Sequence, residues 1–158
     1  MVIRIRNRQR SKSLNLRKVR KDLAVAGTVI GLAGVELSIS FIGSARMKSL
    51  NARYRGIPKD TDVLSFPMDT GPIHSASARP VPSAPCRLPV LLGDIVISVP
   101  RAARQAKAYG VAFHEEIRRL LVHGLLHLAG YDHEAGKYQK ARMERKEKEL
   151  LNALAEMD

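Results

Sequence analysis

Two hydrophobic periods alternate along this chain. Leu16, Val19 and Leu23 recur at helical spacing and predict a helix over Ser13–Ala26, stopped by Gly27. Val35, Leu37, Ile39 and Phe41 alternate with polar neighbours and predict a strand over Val35–Ile42. Val2–Arg6 reads as an earlier strand, Asp62–Phe66 as a short one, and Leu91–Val99 as an apolar one interrupted by Gly93, Asp94 and Ser98. Ser44 is the expected N-cap of a helix through Met47, Leu50 and Tyr54 that Gly56 ends. Pro100 or Arg101 opens another, closed by Gly110. Phe113–Ala129 places Phe113, Ile117, Leu120, Leu121 and Leu128 on one broad apolar face. Ala135–Met157 forms the last helix, with Met143, Leu150, Leu151 and Leu154 turned inward.

Strands mixed with helices imply an α+β fold: one small mixed sheet with about five helices. The 158 residues form a single domain, 1–158, long enough to bury about 70% of the unfolded surface in one core. Between Asp69 and Pro89 stand five prolines with Gly, Ser and Ala, so 69–90 is expected to be a flexible loop inside the domain.

The 27 basic residues outnumber the 15 acidic ones, for a net charge of +12, which points to a polyanionic partner. Arg4, Arg6, Arg8 and Arg10 alternate and share one side of an extended segment, the best candidate for contacts to a phosphate backbone. The competing reading is the solvated outer face of an N-terminal strand. Arg46, Lys48, Arg53 and Arg55 form a second basic group, and the last helix carries a third. In that third group Glu144, Glu147 and Glu149 are interleaved, which reads as a solvated face. No Trp, four Tyr and three Phe argue against a base-stacking platform, and backbone electrostatics should dominate any RNA contact. The lone Cys86 cannot form an intramolecular disulfide and fits a reducing compartment. The opening Met-Val-Ile-Arg-Ile-Arg lacks an apolar signal core, and no apolar run approaches the ~20 residues that span a bilayer, so a cytoplasmic, non-membrane protein is expected.

The chemistry concentrates at one place. His123-Gly-Leu-Leu-His127-Leu-Ala-Gly130-Tyr-Asp-His133 sets three imidazoles at H-x3-H-x5-H spacing. Residues four apart share a helix face, so His123 and His127 reach one cation. Gly130 is the expected left-handed residue that ends the helix and lets the chain return His133 to the same ion. Three nitrogen ligands favour Zn2+, although Ni2+ and Cu2+ also accept imidazole, and three protein ligands leave a position open for chemistry.

The spacing is close to the H-E-x-x-H-x-x-G-x-x-H signature of metzincin proteases, with Gly124 in place of the general-base glutamate. A glycine supplies no base. Its missing Cβ serves either close approach of a substrate or close helix–sheet packing.

The histidine segment, together with Leu50-Asn51, Tyr54-Arg55, Thr61-Asp-Val-Leu-Ser-Phe66 and Leu92-Gly-Asp-Ile95, resembles the YbeY family of bacterial metal-dependent endoribonucleases and rRNA maturation factors. The resemblance implies a zinc site at the end of a central helix, with one ion held by His123, His127 and His133. It also implies single-strand-specific RNA cleavage, a part in 16S rRNA 3′-end maturation and ribosome quality control, and association with the small ribosomal subunit. By matching position, Arg55 is the basic residue of the cleft and the expected catalytic group. The charge pattern, and not the resemblance, makes Arg4, Arg6, Arg8 and Arg53 the expected RNA contacts, and the basic N-terminal arm is less typical of the family.

The general base is not fixed by the sequence. Asp132 and Glu134 flank the third ligand, Asp94 and Glu116 are candidates to support an imidazole, and Asp62 reads as a turn or capping residue. Two other functions compete: a metallopeptidase-like hydrolase with a base from elsewhere, and a noncatalytic ribosome-binding factor with a structural zinc.

Overall fold

The structure is a computed structural model and describes residues 1–68, 90–131 and 136–157. Among these residues the chain forms β1 (Val2–Asn7), α1 (Leu16–Val29), β2 (Val35–Ile42), α2 (Ser44–Arg55), β3 (Val63–Pro67), β4 (Val90–Ser98), α3 (Val99–Tyr109), α4 (Phe113–Leu128) and α5 (Lys137–Ala155). The four strands make one mixed sheet in the order β1-β2-β4-β3. β1, β2 and β4 run parallel, and β3 is an antiparallel edge strand on β4. The α+β expectation of one mixed sheet and five helices is met. The expected 69–90 loop lies outside the described residues except for Val90, which opens β4.

Local chemistry sets most boundaries. The Asn15 side chain accepts from Lys18 N–H and caps α1. Gly27 does not stop that helix. A Cβ there would lie 2.6 Å from the Met1 Cε, so Gly27 is a close-packing residue inside the helix, and the reversal falls to Gly31 at φ 75°. Ser44 is not the N-cap of α2 but its first residue; Gly43 holds the cap position.

Alternation in the strands sorts the sheet into two faces. One face presents Leu37, Ile39, Phe41, Ile95 and Ile97 to α1, α4 and α5, where Leu23, Leu120, Leu121, Leu125, Leu150 and Leu154 complete the main core. Each fully buried Leu or Ile there contributes about 1.5–3 kcal/mol. On the other face α2 packs Met47 and Leu50 against Ile42, Leu64, Phe66 and Val96. α4 is thus the buried central helix, and its C-terminal end reaches the rim of the sheet.

Candidate metal centre

α4 crosses β3 and β4 at Gly124, where a Cβ would meet Ile95 Cγ2 at 3.0 Å, Ile95 Cδ1 at 3.1 Å and Ser65 Oγ at 3.1 Å. Of the two readings of Gly124, close helix–sheet packing is the one observed. The position faces the sheet, away from open space in which a substrate would lie.

His123 and His127 follow from that crossing. They stand one turn apart, with ring centroids 4.7 Å apart and their Nε2 atoms 3.2 Å apart. Two imidazole nitrogens bound at about 2.0–2.1 Å to a tetrahedral zinc are roughly 3.3 Å apart, so the pair already has ligand spacing. The same distance suits an N–H···N hydrogen bond when one ring carries the proton. α4 then ends as expected: Ala129 is the C-cap and Gly130 takes φ 84°. His133, Asp132 and Glu134 lie outside the described residues. Among the described residues no group of three or more potential metal ligands assembles, which leaves two imidazoles as the described part of the site.

α5 closes over this end of α4. Met143 is buried, Arg142 lies 5.0 Å from the centre of the Tyr131 ring, and Glu147 Oε2 lies 3.6 Å from His123 Nδ1. The Glu147 side chain is only 18% exposed, so it is not part of a solvated face. The sequence carried a signal for this. Met143, Glu147, Leu150 and Leu154 follow one another at steps of four, three and four, which places an acid in the inward stripe of the helix.

The other acidic candidates sit elsewhere. Glu116 is 1% exposed and accepts two bonds from Arg119, at 2.6 and 3.0 Å, so it does not support His123. Glu116 is the leading cause of a raised Arg119 pKa, followed, after the opposing effect of burial, by weaker attraction from Asp62 and Glu147. Asp94 pairs in register with Ser38 and Phe66 and shares their face, opposite α4. There it lines a cavity of about 340 Å3 with Arg4, Arg6, Glu36 and Ser38. Asp62 accepts from Val63 N–H at 2.8 Å and Gln105 Nε2 at 3.1 Å, the turn role expected of it.

The expected RNA contacts are divided between the β1 segment and α2. Arg4 and Arg6 do share a side of β1, but Arg4 donates to Glu36 on β2 through both Nε and Nη2. That bond raises the Arg4 pKa. Arg6 and Arg8 are exposed on the same row. Arg53 stacks over its neighbour Tyr54 at 5.4 Å. Arg55 is exposed at the last position of α2, before Gly56 at φ 70°. Tyr54 packs edge-on against Phe66, whose neighbour Ser65 borders Gly124. The end of α2 and the histidine turn of α4 therefore meet β3 at adjacent residues from opposite faces, and no hydrogen bond, ion pair or ring contact among the described residues joins Arg55 to the histidines.

No helix among the described residues is long and apolar enough to cross a membrane. A solution structure of TM1509 from Thermotoga maritima superposes on 97% of this chain and 89% of its own with a TM-score of 0.63, at 21% identity, which establishes the fold. A protein of Geobacter sulfurreducens named endoribonuclease YbeY is 37% identical over 158 residues, 98% of this chain and 96% of its own. Another of that name from Aquifex aeolicus is 39% identical over 147 residues, 90% of this chain and 89% of its own. The profile described as endoribonuclease YbeY matches residues 4–155. With the sheet, the histidine helix and these likenesses in agreement, the chain belongs to the YbeY family of endoribonucleases.

Proposed function

We propose that this chain cleaves single-stranded RNA at a site holding one Zn2+ on His123, His127 and His133, and that it acts in the cytoplasm on the 3′ end of 16S rRNA in association with the small ribosomal subunit. The observation that carries the metal reading is the 3.2 Å convergence of the His123 and His127 Nε2 atoms at the end of α4. When bound, zinc supplies Lewis acidity toward a phosphodiester. The chain's own groups do the rest. Arg55, exposed beside the edge strand β3, offers a planar guanidinium that pairs with two phosphate oxygens as charge develops. Arg6, Arg8 and Arg53 neutralise the backbone of a bound strand, with a smaller part for Arg4 because Glu36 already engages it.

The closed packing at Gly124 weighs against a peptidase. The test compares single-stranded and double-stranded RNA as substrates for the zinc-loaded protein, with His127→Ala purified in parallel. Cleavage of the single strand only, lost in the variant, is expected. Equal activity of both proteins would overturn the assignment. A 2′,3′-cyclic phosphate on the product would show attack by the ribose hydroxyl instead of water.

A further inference from the structure

We infer that Glu147 is a positioning residue for the metal centre, holding the Nδ1 edge of His123 so that Nε2 faces His127. The inference rests on the metal reading above and deepens it. His123 has two ring nitrogens, and only one can serve the ion. Nε2 lies 3.2 Å from its counterpart on His127, and Nδ1 lies 3.6 Å from the Glu147 carboxylate. The two contacts are on opposite edges of one ring, so the carboxylate stands behind the ligand and not beside the ion. A small side-chain rotation shortens 3.6 Å to a hydrogen bond, with Nδ1–H donating to the carboxylate. That bond fixes the tautomer in which Nε2 carries the lone pair and makes the imidazole a better donor to a metal.

Three features of the surroundings fit this role. Glu147 comes from α5, so the contact locks the terminal helix to the histidine turn, where Met143 is already buried. Glu147 replaces an apolar residue in the stripe of Met143, Leu150 and Leu154, a costly position for an acid without a partner. Arg119, one turn before His123 on α4, is anchored by Glu116 and is also weakly attracted by Glu147.

Zinc and cobalt affinities of the whole protein test the inference, for wild type, Glu147→Gln, Glu144→Gln and His127→Ala. Glu144 lies on the exposed side of α5, 3.9 Å from Lys140, and serves as the control. Glu147→Gln should bind each ion tenfold to a hundredfold more weakly, with Glu144→Gln at the wild-type value. Equal affinity of Glu147→Gln and wild type would overturn the positioning role while leaving the metal centre intact. Wild type binding no better than His127→Ala would overturn the metal centre and the inference together. Nitrogen-15 spectra of the metal-free wild type supply a reading that needs no variant: His123 should be protonated on Nδ1, and protonation on Nε2 alone would overturn the inference.

Discussion

Gly124 and Ile95 touch across the helix–sheet crossing with little room for a methyl group: a Cβ on the glycine would lie 3.0 and 3.1 Å from two side-chain carbons of a fully buried isoleucine. The relation accounts for the absence of a protease-type glutamate between the first two histidines. A longer side chain there would have to displace the side chains of Ile95 and Ser65. Gly124→Ala gains about 1 kcal/mol of helix propensity and incurs about 1–3 kcal/mol of overpacking, so a net loss of about 1 kcal/mol is expected in urea unfolding. Gly124→Glu should lose about 3 kcal/mol or more and acquire no peptidase activity toward casein. A stabilised Gly124→Ala would show that Ile95 moves aside freely.

Gly93 is under a harder constraint. It follows the bulge where β4 shifts register against Glu36 and Leu37, it has φ 146°, and a Cβ would lie 2.3 Å from the backbone oxygen of Phe66. Neither the strand nor its partner can yield without breaking the ladder. Gly93→Ala should therefore lower stability by about 3 kcal/mol or more, well beyond Gly124→Ala. Equal losses at the two positions, measured by the same unfolding method, would contradict this ranking.

A bound ion should stabilise the native chain through mass action. Zinc at a hundredfold excess over its Kd adds about 2.7 kcal/mol, which for a domain of this size is a rise in Tm of about 5–10 °C. Adding a chelator should reverse the rise in wild type and leave the Tm of His127→Ala where it was. Calorimetry on the two proteins with and without chelator reads this directly; the same response from both would remove His127 from the ligand set.

Asp22 and Arg118 form a buried ion pair, 3.0 and 3.4 Å apart at their two arms, between α1 and the first half of α4. The pair lies at the end of α4 away from the histidines. Asp22→Ala leaves a buried guanidinium short of its carboxylate and should cost about 3 kcal/mol, whereas Asp22→Leu with Arg118→Met should cost less than the single change. Metal affinity should be the same in all three proteins. Denaturant curves for the single and double variants decide between a paired and an independent role.

Salt dependence separates the arginines of β1. Each contact to a single-stranded backbone contributes roughly 0.7 to the slope of log affinity against log salt. Arg6→Gln and Arg8→Gln should each reduce the slope by about that amount. Arg4→Gln should change it less, because Glu36 already serves as its counter-ion. Filter-binding titrations of a short RNA at several salt concentrations give the slopes, and an Arg4 effect as large as that of Arg6 would show that RNA displaces Glu36.

Local pattern along the chain set the elements and the histidine pair. Alternation at Val35–Ile42, helical spacing through Phe113–Leu128 and the left-handed Gly130 are local properties, and they brought His123 to His127 because residues one turn apart share a face. Tertiary structure decided what depends on which elements meet. Gly27 looks like a helix stop until Met1 is seen packed against it. Asp94 and Glu116 look like partners for an imidazole until the sheet face and Arg119 claim them. Glu147 looks like surface charge until α5 folds over α4 and sets it against His123, 24 positions away in the chain. Spacing along a chain is short-ranged information, and the surroundings of a carboxylate are set by contacts that only the closed core creates.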